Sequence, residues 1–384
     1  MNILVVGMLN SIHLVRWVKQ FKNFNNIKLY IYPLEPVIPH KDLRKNFLNL
    51  VNKEKNIKII KLFPNIEINF FFSKILNTLT LGFFNLLFLY LTIKFVKFEF
   101  VHSLEISRSA NLCLIIKKFL GNNFPKWIVT NWGSDIFFFY KKNLLKNNIK
   151  EIINLADYYS AECHRDYKLA KKINFKGNFL PCIPNSGGIN LSLANKLRLL
   201  VKPSHRRIIV IKGYQDEIGQ AINAILAIDK IVDKIQDFKI IIFSASPIIK
   251  DFCKKIRLSN KIQLEIIETN TALSQKEIYR LFSKSRIFIG ISKSDGISTS
   301  MLEAIALGAF PIQSNTSCGN EWIRNNISGF LVPWDDISII SNKILRAINN
   351  NILIEKSAKL NWIVIKKKGS DVKIKKIAHT FYQQ

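Results

Sequence analysis

At 384 residues the chain is long enough for two ordinary domains, each with its own core. A hydrophobic content of 48% and a mean hydropathy of +0.11 exclude a disordered chain. With 57 Lys and Arg against 27 Asp and Glu, the formal charge is +30. That balance suggests an anionic partner, nucleic acid or the acidic face of a membrane, or a composition bias that sets lysine on every solvated face. The lysines are spread along the chain, with no basic stripe of interleaved aromatics, so no nucleic-acid partner is expected.

The chain opens with ILVVG (3–7), a short apolar run ending in glycine, and Ser11 then caps a helical pattern through Val15, Val18 and Phe21. MNILVVGMLN has no basic n-region and turns polar after one strand, unlike a signal peptide. KLYIY (28–32) reads as the next strand. Between Lys74 and Lys94 lie 19 residues without a formal charge, ILNTLTLGFFNLLFLYLTI. Read as one helix over 75–93, this is near the roughly 20 residues that a membrane span needs. It carries Asn77, Thr78, Thr80, Gly82, Asn85 and Thr92, so a helix in the membrane interface or under a sheet accounts for it equally well.

FEFVHS (98–103), WIVT (127–130), YYSA (158–161) and NFL (178–180) continue the alternation of strand and helix, and PCIPNSGGINL (181–191) breaks it. A second series follows: RIIVIKG (207–213), FKIIIFSA (238–245), IQLEII (262–267), RIFIGIS (286–292) and AFPIQS (309–314). Continuous β-branched runs are the mark of parallel strands buried on both faces. Two such series predict two doubly wound α/β domains, 1–195 and 196–366, with a terminal helix over 367–384 packing back on the first. Ligands in such sheets bind outside the carboxyl ends of the strands, so the loops after Gly7, Thr130, Gly213 and Ser292 should face a cleft between the domains. The five cysteines, 113, 163, 182, 253 and 318, form no CxxC pair and are odd in number. They support neither a disulfide framework nor a zinc site and fit a reducing cytoplasm.

SKSDGISTSMLEAIALGAFPIQS (292–314) holds the richest chemistry. A helix starting near Ser298 presents free N–H groups and its positive dipole end, a cradle for phosphate. Ile297, Ser298, Thr299 and Ser300 would supply the amides, and Gly296 lets the backbone approach closely. Glu303, on the second turn, can accept two hydrogen bonds from a ribose diol. Asp295, eight positions earlier, can reach hydroxyls elsewhere on the same ligand. The pattern suits a nucleotide sugar. A helix with an acidic start and a glycine C-cap would produce the same pattern without a ligand.

SDGISTSMLEAIALGAFPIQS resembles the donor-site signature of the family 4 retaining glycosyltransferases of the GT-B fold. Asp295 stands where that family usually has Glu, and Glu303 matches outright. The resemblance implies that Glu303 holds the ribose hydroxyls and that Asp295 with the following amides holds the transferred sugar. NEWIRNNISGFLVPWDD (320–336), IPNSGGINL (183–191), VTNWGSDIFFF (129–139) and MNILVVGMLNSIHLVRW (1–17) are similar to further family segments in the family's order. Trp132 departs from the loop histidine common in the family. Of the basic pair that neutralises the diphosphate only Lys212, followed by Gly213, is evident, and it could equally be one more surface lysine.

The resemblance implies a GT-B enzyme of two Rossmann-like domains that moves a sugar, with retention of configuration, from a UDP- or GDP-linked donor to a saccharide or lipid-linked saccharide in surface-polysaccharide assembly. The expected place is the cytoplasmic face of a membrane. No D-x-D occurs, so no metal or other cofactor is expected. Asp135 could orient a substrate or simply cap the helix after it. His13, at the start of the first helix, could titrate beside an acceptor phosphate or be structural. Other GT-B chemistry (a sugar-nucleotide epimerase or phosphorylase), a non-catalytic family member, and a basic nucleic-acid-binding protein are the alternatives.

Overall fold

The apolar runs form strands in a computed structural model that describes all residues except 10, 25, 35–49, 64, 199, 257 and 272. Two compact units divide the chain: Met1–Gly187 with Lys375–Gln384, and Gly188–Ile374. The division therefore falls eight residues before the expected boundary, at the glycine pair of the 181–191 loop. Gly187 and Gly188 both have positive φ (81° and 75°), a conformation glycine adopts without strain.

The first unit carries β1 (Asn2–Gly7), β2 (Lys28–Pro33), β3 (Ile57–Ile59), β4 (Phe100–Leu104), β5 (Lys126–Asn131), β6 (Tyr158–Ala161) and β7 (Asn178–Phe179). They form one parallel sheet in the order β3-β2-β1-β4-β5-β6-β7. The second carries β8 (Ile208–Lys212), β9 (Lys239–Ala245), β10 (Gln263–Glu268), β11 (Ser285–Gly290), β12 (Phe310–Ser314) and β13 (Phe330–Val332), also all parallel, in the order β10-β9-β8-β11-β12-β13. Both sheets thus have the doubly wound order, reversing between β1 and β4 and between β8 and β11. β3 and β13, three residues each at sheet edges, have no counterpart among the expected strands. Every residue of β11 and of β12 is buried, as parallel strands covered by helices on both faces must be.

Two expected helices are corrected. Residues 75–93 are not one helix: the chain breaks at Thr80–Gly82 into Ile66–Leu79 and Phe83–Phe95, bent by 118°. Leu81 and Gly82 take positive φ (50° and 91°) at the break. Helices of 14 and 13 residues extend only about 20 Å each, short of the ~30 Å hydrocarbon core. Among the described residues no single helix is long and apolar enough to cross a membrane, though the bent pair together has the length and composition. The terminal helix runs over Asp371–Thr380 rather than 367–384. Beyond it Tyr382 is buried, its hydroxyl taking the Trp17 indole N–H at 3.2 Å and lying 2.7 Å from His102 Nδ1. Trp17 is fully buried core.

Candidate active site

The second unit's switch point gathers most of the expected site residues. β8 ends in Lys212, and its Nζ lies 3.7 Å from Asp295 Oδ2 in the loop after β11. It also stands 5.0 Å from the centre of the Tyr214 ring. Both side chains keep about a quarter of their surface, 23% and 25%, so the pair remains reachable from solvent. The loop is held from both sides. Lys293 N donates to Ile218 O at 2.9 Å, Gln220 N to Ile291 O at 3.0 Å, and Ser292 N to Ser314 Oγ at 3.2 Å. Cys318 N donates to the carbonyl of Gly296 at 2.9 Å.

Ser298 is the N-cap of the Thr299–Ala306 helix, its hydroxyl accepting from Met301 N at 3.4 Å. Glu303 lies on this helix and is 2% exposed. Gly308, φ 86°, ends it in the left-handed conformation expected of a glycine cap. Buried Arg206 donates to Leu307 O at 2.9 Å and Ser285 O at 3.1 Å, fixing a cation on the helix's negative end and tying it to β11. Among the described residues, the buried hydroxyls of Ser294 and Thr299 have no hydrogen-bond partner. A buried polar atom without a partner costs about 1–3 kcal/mol, so each of these two hydroxyls, flanking Gly296–Ser298, leaves a hydrogen bond unmade.

Gly213 has a structural reason. A Cβ there would stand 2.6 Å from Ala245 Cα and 2.8 Å from Ile242 Cγ2, so its glycine is fixed by packing against β9. Its N–H is bonded to Phe243 O at 2.8 Å and its carbonyl accepts from Ser246 N at 3.0 Å. Its N–H is therefore engaged within the sheet.

His13 and Asp135 lie in the first unit, at its own switch point. Ser11 caps the Ile12–Lys19 helix by accepting from His13 N at 3.2 Å. The His13 ring, in the first turn of that helix, lies 5.1 Å from the Trp132 ring and is tilted 45° to it. Asp135 is not the N-cap of its helix: Gly133 holds that position, and Asp135 falls in the first turn of Ser134–Phe137. Its buried carboxylate accepts from Trp132 N at 3.0 Å and Ile106 N at 3.1 Å, clamping the loops after β4 and β5 together. Burial raises its pKa.

Sequence reasoning missed Glu105. It follows β4 with φ 89°, unusual for a residue with a side chain, and is 5% exposed. Its carboxylate caps the turn of Ile106–Ala110, accepting from Arg108 N at 2.8 Å, Ser109 N at 3.2 Å and the Ser107 hydroxyl. Burial, then the neighbouring charge of Asp135, raises its pKa to about 7. Behind this pair Arg165 lies on the Phe137 ring, 4.0 Å from its centre, and binds Asp166 at 2.8 Å, while Asn131 donates to the same carboxylate at 2.7 Å. His102 is wholly buried between Tyr382 and Thr130, and burial lowers its pKa to about 3, so it is neutral.

Residues 200–362, most of the second unit, match the family described as glycosyl transferases group 1. No curated protein matches the chain by sequence. Among solved structures, the chain is similar over its whole length to sucrose-phosphate synthase from Thermosynechococcus elongatus, with TM-score 0.72, 13% identity and 98% of that chain covered. HepE of Anabaena in complex with UDP-glucose gives TM-score 0.68 at 11% identity, with 100% of both chains covered. A glycosyltransferase from Rickettsia africae gives 0.65 at 18%, covering 100% of this chain and 97% of that one. These likenesses show the GT-B fold, two parallel-sheet Rossmann-like units. With the family match over the second unit, they support a GT-B glycosyltransferase.

Proposed function

We propose that the chain is a retaining, metal-independent glycosyltransferase that takes a sugar from a UDP- or GDP-linked donor to a saccharide or lipid-linked saccharide acceptor in surface-glycan assembly. The observation that carries this reading is the meeting of Lys212 and Asp295 at the β8/β11 switch point, beside the N-terminus of the helix bearing buried Glu303. The chemistry places the donor diphosphate against the amides of Ile297–Ser300, the helix dipole and Lys212. As the glycosidic bond lengthens, the sugar becomes oxocarbenium-like and negative charge grows on the diphosphate. Fixed N–H groups and one ammonium aimed at that charge lower the barrier without reorganising. Glu303 accepts from the ribose hydroxyls, and Asp295 from hydroxyls of the sugar. Retention follows if the acceptor attacks the face that the leaving phosphate vacates, with that phosphate taking the acceptor proton. A neighbour solved with UDP-glucose supports the donor class.

The acceptor side rests on the first unit. His13 and Trp132 offer an aromatic face suited to a sugar ring, while Asp135 positions Trp132 through its amide. The protein's place in this reading is the cytoplasmic leaflet of an anionic membrane, without spanning it. Eleven of the 25 large hydrophobic side chains counted as exposed among the described residues fall between Leu62 and Phe95, with Leu79, Leu81 and Phe95 at 75%, 97% and 75%. Such clustering marks an interaction surface. Five lysines against one acid, Glu67, between residues 57 and 98 add attraction to anionic lipid.

Turnover of UDP- and GDP-sugars in EDTA tests the reaction. Donor hydrolysis that survives chelation agrees with it, and activity that appears only with Mg²⁺ or Mn²⁺ sinks metal independence. The same panel with Asp295→Glu should reorder the preferred donors, since one methylene in a pocket discriminates by about 1–3 kcal/mol. An unchanged ranking means that Asp295 does not read the sugar.

A further inference from the structure

The Lys212–Asp295 contact joins two charges for which a nucleotide sugar has two different uses, its phosphate for one and its sugar hydroxyls for the other. Lys212 Nζ lies 3.7 Å from Asp295 Oδ2 and 5.0 Å from the centre of the Tyr214 ring, so a carboxylate and an aromatic face already share its charge. The backbones that carry this arrangement are anchored. Lys212 closes β8, and Tyr214 O accepts from Ala221 N at 3.1 Å. Asp295 sits between two tied residues: Lys293 N donates to Ile218 O, and Gly296 O accepts from Cys318 N, both at 2.9 Å. Lys293, two positions before Asp295, places its own ammonium over the Trp334 ring, 5.0 Å from its centre.

A pair of charges a quarter exposed is weakly held, so a diphosphate can take the ammonium. The carboxylate is then left beside a like charge, which is unfavourable unless hydrogen-bond donors reach it. A nucleotide sugar brings such donors in its sugar hydroxyls. A free nucleoside diphosphate brings none at its phosphate end, and its terminal phosphate gains further negative charge above about pH 6. We propose that Asp295 sorts donor from product: it competes with the diphosphate for Lys212, and only the sugar hydroxyls of the donor offset that competition. In the transfer, the bond from the anomeric carbon to the terminal phosphate oxygen breaks and leaves its electron pair on that oxygen. The acceptor oxygen bonds the carbon, and the acceptor proton passes to the phosphate and on to water. The hydroxyls leave with the product saccharide, so the same carboxylate then favours release of the nucleotide. This rests on the reading of the chain as a nucleotide-sugar transferase, and it adds product discharge to the role of Asp295.

Isothermal titration of the full protein at pH 8 in EDTA tests it, with UDP, GDP and a panel of UDP- and GDP-sugars. The proteins are wild type, Asp295→Asn, Lys212→Ala and the double variant. Asparagine keeps an acceptor oxygen and removes the charge. Asp295→Asn should tighten the free nucleotide by about threefold to tenfold and leave the nucleotide sugar unchanged or weaker. On the Lys212→Ala background the gain should shrink to less than about twofold, as expected of two residues that act through each other. The proposal is overturned if Asp295→Asn fails to tighten the nucleotide, tightens the nucleotide sugar equally, or gives the same gain without Lys212. It is also overturned if the wild type binds free nucleotide and none of the sugars. Asp295→Ser, judged in the same way, decides the matter if Asp295→Asn does not unfold cooperatively. These outcomes in a wild type that binds UDP or GDP remove the sorting alone, whereas a wild type that binds neither nucleotide removes the donor reading and the sorting with it.

Discussion

At the carboxyl end of β4, two backbone amides and a hydroxyl converge on Glu105, and two more amides on Asp135; at the corresponding end of β11, the hydroxyls of Ser294 and Thr299 meet no partner and the Lys212–Asp295 pair stays a quarter exposed. The two sheets share a strand order and therefore the same switch-point geometry. The first unit's acids are consumed in holding its own loops, leaving an aromatic face at His13 and Trp132. Among the described residues, buried polar atoms without a partner occur in both units, Asn131 Oδ1 and the Trp132 indole N–H in the first, the Ser294 and Thr299 hydroxyls in the second. The shared switch-point order thus carries a pair of buried acids bonded to loop amides in one unit and a quarter-exposed Lys–Asp pair in the other.

The largest effect that can break this contrast is Glu303→Ala. It should lower kcat/KM for the donor by about tenfold to a thousandfold, the range for a lost charged hydrogen bond. Full activity in a variant of native stability would remove Glu303 from the site.

In the first unit the corresponding test is pH. Glu105 is pushed up to about 7 from an ordinary 4.5, so its contribution to stability is fully present below pH 4.5 and is lost as pH rises through 7. The full shift is worth on the order of 3 kcal/mol. Amide exchange in β4 and β5 should therefore quicken between pH 5 and pH 8 beyond the intrinsic rate, and Glu105→Gln should flatten that dependence. Equal slopes in wild type and variant would mean that Glu105 titrates as an exposed acid does.

Gly213→Ala sharpens the contrast at the second switch point. The added methyl meets Ala245 at 2.6 Å and should cost about 1–3 kcal/mol by overpacking β8 against β9. Stability should fall, and nucleotide affinity should be unchanged in the fraction that stays folded. The smallest effect is expected from Thr299→Ala. Its hydroxyl makes no internal bond, so the midpoint should move by no more than about 0.5 kcal/mol equivalent, as for a neutral substitution. Nucleotide affinity should still drop, and a variant unchanged in both would show that the hydroxyl faces nothing.

Most of the fold was legible in the sequence because parallel strands covered on both faces must be continuous apolar runs, and RIIVIKG, FKIIIFSA and RIFIGIS are that. β3 and β13 were not legible, since three residues at an edge carry too little periodicity to stand out. The break at Leu81–Gly82 was hidden by the uncharged composition around it, although a lone glycine after Thr80 is an ordinary helix stop. The Thr299–Ala306 helix was legible from local chemistry: Ser298 as cap, Gly308 as terminator, Glu303 between. The Lys212–Asp295 contact was not, because it joins two strands 83 positions apart in the chain. Glu105 gave no signal at all. Its role depends on a backbone angle and on the burial of a neighbour thirty residues away, Asp135.

The central claim, that the second unit's switch point binds a nucleoside diphosphate through the Thr299–Ala306 helix and Lys212, is tested most directly by isothermal titration of UDP and GDP in EDTA. The account predicts binding of at least one nucleotide to the wild-type protein, and a loss of about tenfold in Lys212→Ala, the equivalent of roughly 1.4 kcal/mol for one charge-assisted contact. No heat from either nucleotide, in protein whose thermal unfolding is cooperative, would contradict it.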